Sequence, residues 1–160
     1  MGKSKMIEYM KTAVIDLDGT LAEYDEWVGP DHFGKPILYA KDALLELKEW
    51  GWRIIIFTTR GDVVLVEKWL KEHGFPFNAI NSCEHNPDGC SQKPIAEVYF
   101  DDRDCHVLGE KPYNWVKAMR RVRKLYQPSP LNTYIDDAAI WASFANRFFN
   151  IIKTFKLKSR

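Results

Sequence analysis

The feature that most constrains the fold of this chain is a regular alternation of short apolar runs with amphipathic stretches. Runs of strand length and composition lie at residues 11–17, 53–57 and 95–100, with a shorter one at 77–80, and apolar residues at helical spacing lie at 39–50 and 63–73. The run at 53–57 is rich in isoleucine, which is typical of a strand covered on both faces. Because parallel strands need crossover connections, this order predicts an α/β fold with a doubly wound parallel sheet.

Polar residues follow each of the three clear strands. The strand ends carry Asp16 and Asp18; then Thr58, Thr59 and Arg60; then Asp101, Asp102, Arg103 and Asp104. Ligands bind outside the carboxyl ends of the strands in sheets of this kind, so these groups are expected to meet in one crevice. Neighbouring carboxylates repel one another, and their hard oxygen atoms favour Mg²⁺ as the ion that keeps them ionised.

Composition indicates a globular protein without a strong electrostatic preference. The chain has 160 residues and a net charge of +1, which does not favour general binding to nucleic acid. Three scattered cysteines argue against a disulfide framework and indicate a reducing compartment. No apolar run of about 18 residues is present, so we expect no membrane span and a cytoplasmic protein.

The chain changes character after Gly109. We therefore predict a core at residues 1–110 and a helical extension at 111–160. The extension would contain a basic helix at 112–126 and an aromatic-rich helix at 136–157, separated by a proline-rich break. It would either pack on the core or form a homodimer contact through the last helix.

Over residues 10–108 the sequence resembles the haloacid dehalogenase superfamily of phosphatases. The resemblance is carried by the string from Asp16 to Leu21, by Thr58 after the second strand, by Lys93, and by the pair Asp101 and Asp102. It implies a Rossmann-like core. The insert at residues 22–39 is too short for a cap domain, so only a minimal cap is expected.

The resemblance also implies a role for each matching residue. Asp16 would be the nucleophile that forms an aspartyl-phosphate, and Asp18 would be the general acid and base. Thr58 would hydrogen-bond the phosphoryl group, and Lys93 would neutralise its charge together with that of the nucleophile. Mg²⁺ would be held by Asp16, the backbone carbonyl of Asp18, and the pair Asp101 and Asp102, either of which could be the direct ligand. These predicted metal residues are Asp16, Asp18, Asp101 and Asp102.

Lys93 departs from the usual pattern because it lies only eight residues before Asp101. This spacing places it in the turn that enters the third strand, away from the crevice unless the preceding loop folds back. It is therefore either the catalytic lysine or a solvated surface lysine, and Lys111 is the alternative.

Four further residues are predicted to bind substrate: Gly19, Thr59, Arg60 and His32. Arg60 would either grip a second anionic group of the substrate or pair with Asp62, Asp102 or Asp104. Thr59 could instead cap the following helix. The loop residues around His32 would either contact substrate or, through Trp27 and Phe33, hold the loop against the core.

The sequence thus predicts a magnesium-dependent phosphomonoesterase that acts on a nucleotide or another small phosphorylated metabolite. One alternative is a polynucleotide 3′-phosphatase-like enzyme, for which the basic helix could bind a nucleic acid end. Another is a non-catalytic module that binds a phosphorylated ligand, although retention of both Asp16 and Asp18 speaks against it. Phosphoryl transfer to an acceptor other than water also stays open.

Overall fold

The computed structural model describes residues 10–105 and 108–127. Its elements in chain order are β1 (Thr12–Ile15), α1 (Ala40–Glu49), β2 (Arg53–Ile56), α2 (Val63–His73), β3 (Ala79–Ile80), β4 (Val98–Phe100) and α3 (Trp115–Tyr126). Within these residues, strands and helices alternate in the predicted order as far as β3. The predicted α/β class is confirmed.

The four strands form one parallel sheet in the order β3-β2-β1-β4. β1 lies inside the sheet and is buried along its whole length, which explains its continuous apolar sequence. The register pairs Ile15 with Ile56 on one side and with Phe100 on the other. The carboxyl ends of β1, β2 and β4 are therefore level, and the residues that follow them share one edge of the sheet.

α2 begins and ends where local chemistry favours it. α2 begins after Asp62, whose side chain accepts hydrogen bonds from the amides of Val64 and Leu65. Asp62, and not Thr59, is thus the N-cap. α2 ends at Gly74, which adopts the left-handed conformation with φ of 69°.

Several elements are shorter than their predicted runs. β1 spans Thr12–Ile15 instead of 11–17, and β3 spans Ala79–Ile80 instead of 77–80. β4 begins at Val98 instead of residue 95, because the amide of Ile95 bonds the side chain of Asn86 in the preceding loop. α3 begins at Trp115 instead of residue 112. The predicted helix at 136–157 lies outside the described residues, and so does the proposed homodimer contact.

The chain divides into two compact units, Met1–Met119 and Arg120–Arg160. The predicted division after residue 110 stays a prediction. The candidate site described below lies in the first unit. Among the described residues, no helix combines the length and the apolar character that crossing a membrane requires.

The insert between β1 and α1 folds into a small closed loop, residues 22–36, which we call the flap. Its two ends meet through an antiparallel bridge between Ala22 and Pro36, and the amide of Glu23 donates to the carbonyl of Lys35 at 2.8 Å. Gly34 makes this closure possible, since a Cβ there would lie 1.9 Å from the carbonyl oxygen of Glu23. The flap is the minimal cap that the length of the insert predicts.

Candidate active site

Three carboxylates converge at the level edge of the sheet. Asp16 follows β1, and Asp101 and Asp102 follow β4. One oxygen atom from each lies within 4.8 Å of the others, and all three residues are partly buried. We call these three residues the carboxylate cluster. It is the convergence of strand ends that the sequence predicts.

A tight turn after β1 brings the cluster together. The carbonyl of Leu17 accepts hydrogen bonds from the amides of Leu21 and Ala22, both at 2.9 Å, and Gly19 has a φ of 84°. A Cβ at Gly19 would lie 2.4 Å from Oδ2 of Asp102. Only glycine therefore permits both this turn and the close approach of Asp102. The amide of Gly19 donates to the carbonyl of Ala22 at 2.8 Å, and the assignment of Gly19 as a substrate-binding residue stays a prediction.

The turn is also tied to the cluster from behind. Thr20 is fully buried, and its Oγ1 accepts a hydrogen bond from the amide of Asp102 at 2.9 Å. Its carbonyl accepts a hydrogen bond from the indole Nε1 of Trp115 at 2.8 Å. Sequence reasoning did not identify Trp115, because a tryptophan in a basic helix has the same pattern as any core residue.

Negative charge dominates the electrostatics of the cluster, and the charges of Arg103 and Lys111 offset it only in part at Asp102. Burial, together with the nearby charges of Asp101, Asp102 and Asp18, raises the pKa of Asp16 from 3.8 to about 7, against the lowering effect of a hydrogen bond from the Leu17 amide. Burial and the charge of Asp101 likewise raise the pKa of Asp102.

One oxygen of the cluster has no partner within the described residues. Oδ1 of Asp102 is buried and accepts no hydrogen bond there. A buried carboxylate oxygen in this state is costly unless a cation or donor satisfies it. Three carboxylates with such an oxygen among them fit a hard divalent cation such as Mg²⁺, which prefers oxygen ligands.

The side chain of Asp18 is not part of this cluster. It forms a bidentate ion pair with Arg60, with Nε to Oδ2 and Nη2 to Oδ1 both at 2.8 Å. The predicted metal ligand at Asp18 was its backbone carbonyl, and that assignment stays a prediction. The ion pair predicted for Arg60 exists, but its partner is Asp18 and not Asp62, Asp102 or Asp104.

Arg60 is buried, with 5% of its surface exposed, and it joins Asp18 to the flap. Its Nη1 donates to the carbonyl of Pro30 at 3.1 Å, and its Nη2 donates to the carbonyl of His32 at 2.8 Å. The rings of Trp27 and Phe33 lie 5.0 and 4.1 Å from its Cζ atom. His32 thus contributes its backbone here, and its assignment as a substrate-binding residue stays a prediction.

The two threonines after β2 have different environments. Thr58 is partly buried, its amide donates to Oδ1 of Asn81 at 2.8 Å, and its Oγ1 accepts from the amide of Arg60 at 3.2 Å. Its hydroxyl proton stays available to a ligand. Thr59 is exposed. Sequence reasoning missed Asn81, whose φ of 47° is a conformation that asparagine tolerates.

The two candidate lysines lie in different places. Lys93 is exposed, and its Nζ lies 4.8 Å from the centroid of the Tyr99 ring. Lys111 contacts the carbonyl of Tyr24 at 3.4 Å, and its charge is one of those that lower the pKa of Asp102 against the raising effects of burial and Asp101.

Comparison with known proteins gives a likeness of fold. No protein-family model matches the sequence, and no curated protein matches it significantly. A conserved protein from Bacteroides thetaiotaomicron is 25% identical, with a TM-score of 0.59, and the match covers 80% of this chain and all of that one. A D,D-heptose bisphosphate phosphatase from B. bronchiseptica, solved with magnesium and phosphate, is 21% identical with a TM-score of 0.36, over 74% of this chain and 64% of that one. The first likeness supports the α/β fold.

Proposed function

We propose that this chain is a magnesium-dependent phosphomonoesterase in which Asp16 is the nucleophile. The observation that carries the proposal is the carboxylate cluster, in which Asp16 shares one site with Asp101 and Asp102 at the carboxyl ends of β1 and β4. Such a set of oxygen ligands suits phosphoryl transfer, because a divalent cation held there would offset the charge of the phosphate while one carboxylate attacks it.

Asp16 is suited to covalent catalysis because it lies at the end of a buried central strand. An oxygen of its carboxylate would attack the phosphorus atom, and the bond from phosphorus to the leaving oxygen would break. Water would then attack the aspartyl-phosphate, release inorganic phosphate and regenerate the carboxylate. Mg²⁺ bound by Asp16, Asp101 and Asp102 would supply positive charge for the phosphoryl oxygens.

Asp18 would move the proton in both steps. It would give a proton to the leaving oxygen in the first step and would take one from the attacking water in the second. Each of its oxygens uses one lone-pair position for Arg60. The other position on each oxygen is left for this exchange.

Thr58 and a lysine would complete the site. Thr58 follows β2, the strand next to β1, and its hydroxyl would donate a hydrogen bond to the phosphoryl group. For the lysine, the influence of Lys111 on Asp102 supports Lys111 more directly than the position of Lys93 supports that residue. A comparison of Lys93→Ala with Lys111→Ala decides between them, because loss of the catalytic lysine lowers kcat far more than loss of a surface lysine.

The decisive experiment is turnover of p-nitrophenyl phosphate with and without Mg²⁺. We expect wild-type activity that EDTA abolishes, and a loss of at least about 1,000-fold in Asp16→Asn. Asp88→Asn is the matched control, because Asp88 is an exposed carboxylate in a loop. The proposal fails if the wild type has no magnesium-dependent turnover, or if Asp16→Asn retains it.

The substrate class is a second question for the same assay. We propose a nucleotide or another small phosphorylated metabolite, and phosphate release from nucleotides, sugar phosphates and 3′-phosphorylated oligonucleotides would rank these classes. If a nucleic acid end is the substrate, activity on oligonucleotides should fall steeply with salt while activity on mononucleotides does not.

A further inference from the structure

We propose that Arg60 is a positioning residue that makes the orientation of the Asp18 carboxylate depend on the flap. The inference rests on the proposed function, in which Asp18 exchanges a proton with the leaving group. It assigns a task to the flap, because the same guanidinium group holds both the flap and the Asp18 carboxylate.

The contacts of Arg60 show how this dependence arises. Its Nε and Nη2 hold the two oxygens of Asp18, while Nη1 and the same Nη2 hold the carbonyls of Pro30 and His32. All three guanidinium nitrogens are thus engaged, and Nη2 donates to both sides. The guanidinium is planar and rigid, and Nη2 serves both sets of acceptors, so a movement of the flap carbonyls also shifts the donors that face Asp18.

Burial makes these contacts obligatory. The Arg60 side chain is 4% exposed and that of Asp18 is 13% exposed, so water cannot readily replace a lost partner. The rings of Trp27 and Phe33 add cation–π contacts on the flap side. Phe33 also stacks on Trp69 of α2 with ring centroids 5.9 Å apart, which fixes that side of the flap to the core.

A flap that is folded down therefore gives Asp18 one orientation. A flap that lifts would leave two donors of Arg60 without acceptors and would let the guanidinium, and Asp18 with it, turn away. Protonation of the leaving group would then require the folded flap, whereas attack by Asp16 would not. This difference separates the role of Arg60 from that of a residue that only stabilises the fold.

The test compares two substrates that differ in their need for a proton. p-Nitrophenolate leaves readily without protonation, whereas the alkoxide of an alkyl phosphate such as glycerol phosphate needs it. We expect Arg60→Lys to lower kcat/KM for the alkyl phosphate by about 100-fold, and for p-nitrophenyl phosphate by less than about threefold. Arg53→Lys, the same change at the other end of β2, should leave both values unchanged.

A second variant keeps the test valid if Arg60→Lys does not fold. Trp27 is 56% exposed, so Trp27→Ala should fold normally while it loosens the flap side of Arg60. We expect kcat/KM for the alkyl phosphate to fall by about two- to fivefold, and kcat/KM for p-nitrophenyl phosphate to fall less. Val28→Ala, at the next exposed residue, should have no such effect.

Hydrogen exchange provides a readout that does not depend on activity. The amide of Glu23, which closes the flap, should exchange faster in Arg60→Lys than in Arg53→Lys. Equal losses on both substrates, or unchanged exchange at Glu23, would overturn the inference. A wild type without any phosphatase activity would overturn the proposed function instead, while faster exchange in Arg60→Lys would still show that Arg60 holds the flap.

Discussion

Asp16 and Asp18 lie two residues apart in one turn, but they have opposite electrostatic environments. Asp16 belongs to the carboxylate cluster, where burial and like charges raise its pKa to about 7. Asp18 lies against Arg60, which meets both of its oxygens at 2.8 Å. The charges that raise the pKa of Asp16 are all carboxylates, whereas the Asp18 carboxylate is paired with the guanidinium of Arg60.

The difference indicates which half of the site is complete without a ligand. The Asp18 half carries its own compensating charge and is tied to the flap, so it is built by folding alone. The cluster half has a buried oxygen on Asp102 that no donor within the described residues satisfies. A cation from solution would satisfy this oxygen. Removal of a carboxylate should thus have opposite effects on stability in the two halves.

The largest expected change in stability follows from breaking the ion pair between Asp18 and Arg60. Asp18→Asn leaves the buried guanidinium of Arg60 without its counter-ion, so the free energy of unfolding should fall by about 3 to 5 kcal/mol. Urea unfolding in EDTA at pH 8 measures it. Glu67→Gln, which removes half of an exposed pair with Lys71 on α2, is the control and should cost less than about 1 kcal/mol. A similar cost for both variants would mean that the Arg60 pair contributes no more than a surface pair.

In the carboxylate cluster, we expect the removal of a charge to raise the free energy of unfolding. Asp16→Asn removes a charge that the folded protein disfavours, so metal-free protein above pH 7 should gain roughly 2 to 4 kcal/mol of unfolding free energy. The matched exposed variant, Asp88→Asn, should gain nothing. Destabilisation by Asp16→Asn at pH 8 would contradict the idea that the cluster has excess negative charge.

The pH dependence of this gain follows from the raised pKa. Below 3.8 the Asp16 carboxyl is protonated in both states, and the wild type has the full stability of the neutral form. Between 3.8 and about 7 the folded state retains a proton that the unfolded state has lost, so unfolding free energy decreases as pH rises. The difference between wild type and Asp16→Asn should accordingly grow over this range and level off above it.

The edge of the sheet that carries the candidate site was predictable from sequence to a considerable extent. Short apolar runs separated by helical stretches predict a parallel sheet, and the level register of Ile15, Ile56 and Phe100 follows from the pairing of these strands. The meeting of Asp16 with Asp101 and Asp102 could be inferred for this reason, since it depends only on strand order and on where each strand ends.

The partner of Arg60 could not be predicted in the same way. Arg60 and Asp18 are 42 residues apart, and their contact depends on how the turn after β1 directs the Asp18 side chain. The carbonyls of Pro30 and His32 carry no sequence signal, because every residue has a carbonyl. Asn81 was missed for a related reason, since its role depends on a left-handed backbone at the end of β3. Loop geometry of this kind follows from tertiary packing.

Magnesium binding sharpens the comparison with a smaller effect. The metal should stabilise the wild type and bind more weakly at lower pH, because its ligands must lose their protons. Asp102→Asn, which alters the residue with the unsatisfied oxygen, should weaken Mg²⁺ binding by about tenfold or more, which is roughly 1.4 kcal/mol. Calorimetric titration of the wild type and of Asp102→Asn at pH 8 measures the two Mg²⁺ affinities. Arg60→Lys should leave the affinity unchanged, and an equal loss there would mean that the two halves are not independent.

The smallest expected effect tests whether the carboxylate cluster and the Asp18–Arg60 pair are supported by different parts of the fold. Trp115 supports the cluster, because its indole donates to Thr20, whose hydroxyl in turn accepts from the amide of Asp102. Trp115→Phe removes that donor and should cost about 1 kcal/mol, with a loss of Mg²⁺ affinity of about two- to fivefold. Circular dichroism during urea unfolding and calorimetric titration provide the two values.

Trp69→Phe is the matched substitution for the other half. Trp69 stacks with Phe33 of the flap and also with Phe75, so its loss should loosen the flap and leave Mg²⁺ affinity unchanged. Hydrogen exchange at the Glu23 amide should increase in Trp69→Phe and stay constant in Trp115→Phe. If both variants changed both readouts, Asp16 and Asp18 would share one support, and the contrast between them would come from the Arg60 ion pair alone.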